Sequence, residues 1–252
     1  KIVLRPVLTG LIAASLVACQ PSPTETSVDS TASTTTAVAS QTGNSEPSRN
    51  ADVTAAFASL VEDFEAFELA NNPAERGRRG DLVAAGQWTD LSLEALQAQD
   101  EAETAFLERL DAIDGTRLSE SDQVSHAVLD YILRFRVELA QFESNRMPFN
   151  SDSGFFHAPS YAAASTRPQT IAEGEAWVTR IGNIAAYFEQ NTTWMRRGIE
   201  AGFTQPEVIT RSTVGQLEGL SDLDTLRDIL IAPIEGMSSN LPAEDLARLR
   251  AS

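Results

Sequence analysis

Apolar residues recur at every third or fourth position through most of the chain, which is the period of an amphipathic α-helix. The first stripe predicts a helix over 51–70, and the second predicts a helix that follows Ser92 and stops at Gly115. A third helix opens at the capping pattern formed by Ser119 and Asp122, and one apolar stripe marks its core-facing side. The members of this stripe are Val124, Val128, Tyr131, Ile132, Phe135, Leu139 and Phe142.

Capping signals and prolines mark where the later helices begin. Thr170 with Glu173 forms a capping box that opens a long helical segment, and Pro206 suits the first turn of another helix. Shorter helices are predicted around 222–231 and 242–250. No alternating pattern is long enough for a strand, so the sequence predicts an all-α fold, an antiparallel bundle-like array of long helices.

Residues 1–18 have a different pattern, with two basic residues ahead of an apolar stretch from Val7 to Ala18. The apolar stretch is too short to span a bilayer core of about 30 Å, so it predicts a signal peptide. Cys19, the only cysteine of the 252 residues, follows directly. The segment 16–19, Leu-Val-Ala-Cys, resembles the lipobox of bacterial lipoproteins.

The lipobox resemblance implies that Cys19 is acylated on its sulfur, that the chain is cut before Cys19, and that the acyl chains anchor it in a lipid bilayer. A thiolate forms the required thioether, and two acyl chains hold a protein stably on a membrane. Gln20 at the next position indicates an exported protein at the outer membrane or periplasmic face of a Gram-negative cell. The alternative is a small buried cysteine behind an ordinary signal peptide.

Composition separates the next segment from the rest. Residues 19–50 are mostly Ser, Thr, Pro and Ala and include no aromatic residue. Because so little apolar surface cannot offset the entropy of ordering, this segment predicts a disordered tether with a root-mean-square reach of about 30 Å. The remaining residues, 51–252, are predicted to form the α-helical part of a larger domain.

Charge and cysteine content exclude several classes of partner. The formal net charge of −17 argues against a nucleic-acid partner, which requires clustered Lys and Arg, and against broad contact with anionic lipid. A lone cysteine excludes a disulfide framework and a cysteine-based zinc site. The one basic cluster, Arg76, Arg78 and Arg79, is either a clamp for an anionic group or a loop of exposed arginines.

No complete catalytic set is present in the sequence. His126 and His157 are isolated, and neither has the partners of a His-Glu-x-x-His motif, so each is predicted to be a packing or solvent-facing histidine. The chain also lacks a Gly-x-Ser-x-Gly nucleophile motif and a Gly-rich phosphate loop. We therefore assign no catalytic residue and no metal ligand.

The most informative irregular segment is the predicted loop at 146–167, which contains "MPFNSDSGFFHAPSY". Loops of this length inside a compact domain are usually binding elements, and this one is too aromatic for disorder. The alternative is a satellite hydrophobic cluster under a crossing connection, and both interpretations stay open. The candidate substrate-binding residues in this loop are Asn150, Gly154, Phe155 and Tyr161.

Several sequence landmarks resemble one bacterial family. They are "GQWTDLSLEAL", "FLERLDAIDGTRLSESD", "MPFNSDSGFF", the long segment from "TIAEGEAW" to "FTQPEV", and "VGQLEGL". Together they resemble the N-terminal half of the domain-of-unknown-function 885 proteins, from about Asp52 onward, and "MRRGIEAGFTQP" at 195–206 is the most specific block.

The resemblance implies a helical metallopeptidase fold of the gluzincin type, with zinc held by a His-Glu-x-x-His helix and a later glutamate. Zinc-activated water would cut a peptide-like bond. This chain contains no such motif, so it has no cofactor site of its own and is expected to be inactive alone. The amphipathic ending "LPAEDLARLRAS" is expected to continue into further sequence.

Two functions are therefore predicted. The first is the N-terminal helical half of a membrane-anchored, zinc-dependent peptidase, in which Asn150, Gly154 and their neighbours line the cleft for a peptide substrate. The second is a non-enzymatic helical surface lipoprotein that binds a peptide or protein partner. The landmark series favours the first, and the missing metal motif favours the second.

Overall fold

A computed structural model describes residues 46–220, 222–237 and 241–251. The predicted signal peptide, Cys19 and most of the predicted tether lie outside these residues. The described part is built from helices and contains no strand, which confirms the all-α prediction. None of its helices has both the length and the apolar composition needed to cross a membrane.

The first half of the described chain contains three long helices and two short ones. They are α1 (Glu46–Ala70), α2 (Pro73–Arg78), α3 (Leu82–Ala85), α4 (Leu93–Asp111) and α5 (Glu120–Ala140). The second half contains six helices of shorter and more even length. They are α6 (Ala158–Ser165), α7 (Ile171–Gly182), α8 (Ile184–Glu200), α9 (Glu207–Gly219), α10 (Leu223–Glu235) and α11 (Ala243–Ala251).

The predicted caps are confirmed where the helices begin. The side-chain oxygens of Ser92, Ser119 and Thr170 accept hydrogen bonds from backbone N–H groups in the first turns of α4, α5 and α7. Glu173 completes the capping box at Thr170 by accepting from the Thr170 N–H. These caps satisfy N–H groups that have no partner inside the helix.

Helix α1 begins at Glu46, before the predicted start at residue 51. Residues 46–50, which the sequence placed in the tether, are therefore helical. The described side chain of Asn50 accepts a hydrogen bond of 2.9 Å from Arg117, which fixes this end of α1 against the turn after α4. This tertiary contact was not visible from local composition.

Helices α1, α4 and α5 form an up-down-up bundle. Gly115, just after α4, lies beside His126 near the start of α5, while Arg136 near the end of α5 donates to Glu103 in α4 at 3.2 Å. These contacts make α4 and α5 antiparallel. Asn50 near the start of α1 accepts from Arg117 after α4, and Asp63 further along α1 pairs with Arg109 of α4 at 2.7 Å, so α1 is antiparallel to α4. The buried core residues of the bundle are Phe57, Leu60, Phe64, Phe106, Leu110, Leu118, Leu129 and Leu133.

The predicted core face of α5 is wrong. Tyr131 is 70% exposed and Phe135 is 44% exposed, whereas the buried residues of this helix are Leu129 and Leu133. Helix α5 carries apolar residues on two faces, and the leucine face packs against α1 and α4. We call the exposed face the α5 stripe. It consists of Val124, Val128, Tyr131 and Phe135, and Phe142, just past the end of the helix, is exposed as well.

A second core lies among α6, α7, α10 and α11. Trp177 of α7 is buried at its centre, and its indole N–H donates to the carbonyl oxygen of Leu230 at 2.9 Å. Gly174 allows α11 to approach, because a Cβ there would lie 2.8 Å from Leu249. The buried members are Ala163, Trp177, Ile234, Met237, Leu246 and Leu249.

Candidate functional site

The predicted loop at 146–167 is shorter than the sequence suggested. Residues 155–157 form a 3-10 turn, and α6 occupies 158–165. Pro159 fits the first turn of α6, and the three alanines that follow Tyr161 are strong helix formers. The irregular part of the loop therefore ends near Gly154.

Asn150 supports the fold of this loop. Its side-chain oxygen accepts hydrogen bonds from the backbone N–H groups of Asp152 at 3.0 Å and Ser153 at 2.9 Å. The backbone N–H of Asn150 donates to the carbonyl oxygen of Ser153 at 2.8 Å. An asparagine commonly forms such local turns, and here the turn uses up the acceptor of the side chain.

Gly154 is required by space rather than by backbone conformation. Its backbone is extended and pairs with Phe149 in an isolated bridge. A Cβ at Gly154 would lie 2.8 Å from the Cβ of Phe149 and would also overlap the ring of Phe156. The glycine thus lets the two sides of the loop close over the buried Phe156.

Phe155 joins an aromatic cluster on α8. Its ring centroid is 5.1 Å from that of Phe188 and 6.5 Å from that of Tyr187. Tyr187 in turn stacks on Trp88 at 5.0 Å, and the guanidinium of Arg180 lies 4.3 Å from the Trp88 ring centroid. Burial raises the pKa of Tyr187 and lowers that of Arg180. The cluster is a packed surface that holds the loop.

Tyr161 is separate from this cluster, because it lies on α6 and is 61% exposed. Its ring stacks on His157 with centroids 5.8 Å apart. Among the four candidates, Asn150 and Gly154 shape the loop and Phe155 packs it on α8. Only Tyr161 offers a large free surface, and substrate binding by this set stays a prediction.

The block at 195–206 receives the base of the loop. A Cβ at Gly198 of α8 would lie 2.7 Å from the carbonyl oxygen of Phe203 and 3.1 Å from the Cβ of Arg146. The amide of Gln205 donates to the carbonyl oxygen of Phe149 at 2.7 Å. Residues 195–206, the most specific block of the family resemblance, therefore pack against the base of the loop. We call these residues the docking surface.

Glu143 joins α5 to this docking surface. It has a left-handed backbone (φ 42°), a conformation that costs a residue with a Cβ about 1 kcal/mol or more. Its carboxylate pairs with Arg146 and accepts from Arg197 of α8 at 3.2 Å. The two ion pairs connect the turn after α5 to α8.

Residues 86–92 connect α3 to α4 without regular secondary structure, and this segment, which we call the strap, contacts α7 and α8. The indole N–H of Trp88 donates to the carbonyl oxygen of Arg180 at 2.8 Å, and that of Trp194 donates to Leu91 at 2.7 Å. Gln190 donates to Asp90 and accepts from the N–H of Leu91. Sequence reasoning found these residues only as family landmarks, because their partners are about a hundred positions away.

Each arginine of the basic cluster at 76–79 forms an ion pair within the chain. Arg76 pairs with Asp81 at 2.6 Å, while Arg78 and Arg79 both pair with Glu75. Hydrogen bonds from Arg78 and then Arg79 lower the pKa of Glu75. The interpretation as an anion clamp is therefore not supported, because internal carboxylates already occupy these arginines.

A cavity of about 350 Å³, which sequence reasoning missed, lies between α6 and α10. Its walls are mostly small and apolar, with polar groups at Ser160, Arg167 and Gln169. Pro233, inside α10, forms part of the wall together with Ile229. Its polar and apolar residues come from segments far apart in sequence, so no local motif marked it.

The described residues do not fit a zinc ion. They contain no group of three or more His, Cys, Asp or Glu side chains placed to hold a metal. The ring of His126 contacts Phe57 with centroids 5.7 Å apart, and that of His157 lies between Phe156 and Tyr161. Both histidines pack against aromatic rings, in agreement with the first of the two predicted alternatives, a packing histidine.

Comparison with known proteins gives one match. The family model for a bacterial protein of unknown function, DUF885, matches residues 73–252, which are 180 of the 252 residues. The chain belongs to this family. No curated protein and no solved structure matches it.

The DUF885 match starts at Pro73, the first residue of α2, and runs through α11. It therefore includes the strap, the loop with its docking surface, and the cavity. Helix α1 precedes the match, although it supplies Phe57, Leu60 and Phe64 to the first core. The family region thus shares a core with a helix outside it.

Proposed function

We propose that this DUF885 chain is the helical, peptide-binding half of a membrane-anchored, zinc-dependent peptidase. The observation that carries the proposal is the α5 stripe, a row of large apolar side chains on a helix whose opposite face is already buried. Exposed apolar rows of this kind mark surfaces that associate with another apolar surface. In the proposal, the zinc-binding half covers the stripe.

Zinc in this proposal is held by residues other than those described, since the described residues do not fit it. When bound, the metal would activate water for peptide-bond hydrolysis. The part assigned to this chain is to hold the peptide between the loop and α6, where Tyr161 of α6 offers an exposed aromatic ring. No proton transfer or bond cleavage is assigned to its side chains.

A comparison of two proteins tests the proposed function. The chain ending at Ser252 and a longer product of the same gene would be incubated with a mixed peptide library, with and without zinc. We expect hydrolysis only by the longer product, and we expect a chelator to abolish it. Zinc-dependent hydrolysis by the shorter chain, or a gene that encodes no His-Glu-x-x-His motif, would overturn the proposal.

The same α5 stripe also suits the second candidate, a non-enzymatic surface lipoprotein that binds a peptide or protein partner. If the longer product does not cleave peptides but retains one of them on a column, this second function is favoured. The two candidates differ in product formation, so a single mass-spectrometric measurement of the incubated peptides separates them.

Membrane anchoring is proposed through an acylated Cys19. In a Gram-negative host we expect the wild-type chain to fractionate with the outer membrane and to incorporate labelled palmitate. The Cys19→Ser variant should lose the label and leave the membrane fraction, because a serine oxygen does not form the thioether. Ser22→Ala, in the predicted tether, is the control, and label in Cys19→Ser would contradict the prediction.

A further inference from the structure

We propose that the cavity between α6 and α10 binds the C-terminal carboxylate of a peptide whose last residue is small and apolar. This site is distinct from the irregular part of the loop, which ends near Gly154, and from the α5 stripe. The proposal does not depend on peptidase activity, since it concerns binding alone. It is carried by the apolar walls, by one arginine at the cavity, and by a proline-induced gap in the hydrogen bonding of α10.

The walls set the size and polarity of the ligand. A volume of about 350 Å³ is at the lower end of the range of ligand pockets, which is roughly 300–1,000 Å³. Such a space accepts one compact side chain and part of the adjoining backbone. The apolar wall residues are Ala163, Ala164, Pro168, Ile229, Ala232 and Pro233.

Arg167 is positioned to bind a carboxylate. Its Nη1 donates to the carbonyl oxygens of Thr166 at 2.7 Å and Ala163 at 3.4 Å, which holds the guanidinium in place. The structure gives Nε and Nη2 no hydrogen-bond partner among the described residues, and no described carboxylate forms an ion pair with Arg167. A guanidinium edge with two adjacent N–H donors matches a carboxylate in a bidentate manner.

The acidic residue that caps α7 beside the cavity does not compete for this arginine. Glu173 instead accepts hydrogen bonds from the backbone N–H groups of Gln169 and Thr170. Gln169 itself lines the cavity, and its side-chain amide donates to the carbonyl oxygen of Arg167 at 3.0 Å. A carboxylate ligand would therefore meet the charge of Arg167 without displacing an internal partner.

Pro233 distinguishes a peptide from other apolar carboxylates. Proline has no N–H, so Pro233 cannot donate to the carbonyl oxygen of Ile229 four residues earlier in α10. Both residues line the cavity, and in the proposal an N–H group of the ligand donates to this carbonyl oxygen. A peptide supplies that donor in its last amide bond, whereas a fatty acid has none.

Direct binding to the full chain tests the proposal. The probe is a fluorescein-labelled hexapeptide ending in Ala-Val with a free carboxylate, and the readout is fluorescence anisotropy. The same peptide with a C-terminal amide is the matched ligand. We expect the amide to bind roughly tenfold more weakly, since it lacks the charge that Arg167 would meet. This comparison needs no altered protein.

Two variants locate the binding. Arg167→Gln should weaken binding of the free acid roughly tenfold and should remove the preference over the amide. Arg227→Gln, which changes an exposed arginine on α10 outside the cavity, is the matched control and should bind within about twofold of wild type. Circular dichroism checks that both variants keep their helices.

Several outcomes would overturn the proposal. Equal affinities for the peptide with a free carboxylate and for the peptide with a C-terminal amide would show that the carboxylate is not recognised. An equal loss of affinity in Arg167→Gln and Arg227→Gln would mean that the net charge of the protein, and not Arg167 at the cavity, determines binding. Octanoate displacing the peptide at the same concentration as an unlabelled copy of the peptide would make the ligand a fatty acid.

Discussion

Gly198 and Gly215 both lie inside helices, but only one of them has close neighbours where a side chain would be. A Cβ at Gly198 meets the carbonyl oxygen of Phe203 and the backbone of Arg146, whereas a Cβ at Gly215 meets nothing within 4 Å. The first glycine is therefore a packing residue between α8 and the base of the loop. The second has no such contact.

This difference predicts opposite responses to the same substitution. Gly198→Ala should lower the free energy of unfolding by about 1–3 kcal/mol, because backbone atoms must move apart. Gly215→Ala should leave it unchanged or raise it by up to about 1 kcal/mol, since alanine favours the helix. Urea unfolding followed by circular dichroism measures both, and equal values would contradict the role given to Gly198.

Glycine inside a helical pattern predicts a bend or a break, and the local sequence makes this prediction equally for Gly182 and Gly198. Gly182 does end α7, so that prediction is confirmed. Gly198 lies inside the continuous α8, where the prediction of a break is wrong. Its reason for being glycine is its contact with Arg146, which is distant in sequence. Local pattern shows a glycine but not the segment that packs on it.

At the scale of a helix, α5 combines two apolar faces with different surroundings. Leu133 is 0% exposed in the first core, and Phe135, two positions later, lies on the α5 stripe. Periodicity predicted the helix and its start at Ser119, but it chose the wrong face. Both faces carry apolar residues, so the choice depends on which one α1 and α4 cover, and that is a tertiary property.

The two faces of α5 predict a contrast between neighbouring positions. Leu133→Ala should lower the free energy of unfolding by about 2–5 kcal/mol, because it leaves a cavity in a packed core. Phe135→Ala should change it by less than about 1 kcal/mol, since the ring is half exposed. Thermal and urea unfolding measure both. A larger loss at Phe135 would mean that the stripe is covered within the chain.

The junction of α2 and α3 predicts a dependence on pH. The backbone N–H of Ala84 and then the guanidinium of Arg76 lower the pKa of Asp81 below its ordinary value of 3.8. The folded chain thus binds this proton less readily than the unfolded chain. The stabilisation is complete above that ordinary value and is lost as the pH falls through the lower folded pKa.

Asp81→Asn keeps a good helix cap but removes the titrating charge. We expect this variant to be less stable than wild type at neutral pH. We expect the difference between their free energies of unfolding to become smaller in acid. Asp81→Ala, the comparison variant, also loses the cap and should be less stable than Asp81→Asn at neutral pH. Urea unfolding at several pH values measures this, and a gap that is constant with pH would contradict the pKa shift.

For the whole molecule, charge and apolar surface act in opposite directions. The net charge of −17 keeps copies of the chain apart at low salt, while the α5 stripe favours association. Added salt screens the repulsion but not the apolar attraction, because the Debye length shrinks from about 10 Å at 0.1 M to about 3 Å at 1 M. The balance between monomer and oligomer should therefore depend on ionic strength.

Sedimentation velocity tests this balance. We expect wild type to self-associate as salt is raised, and we expect Tyr131→Ser with Phe135→Ser to remain a monomer. Val208→Ser with Val214→Ser removes two exposed apolar residues from α9 instead and should behave as wild type. Association that is unchanged by the α5 pair would show that another surface is responsible.

The two cores have different optical properties. All three tryptophans, Trp88, Trp177 and Trp194, lie in the strap, α7 or α8, while the buried aromatic residues of the first core are phenylalanines only. Tryptophan emission is thus an intrinsic reporter of one part of the chain and is silent for the α1–α4–α5 bundle. Ellipticity at 222 nm reports on both. Any lag between the two signals during denaturation would measure directly how tightly the two cores are coupled in cooperative unfolding.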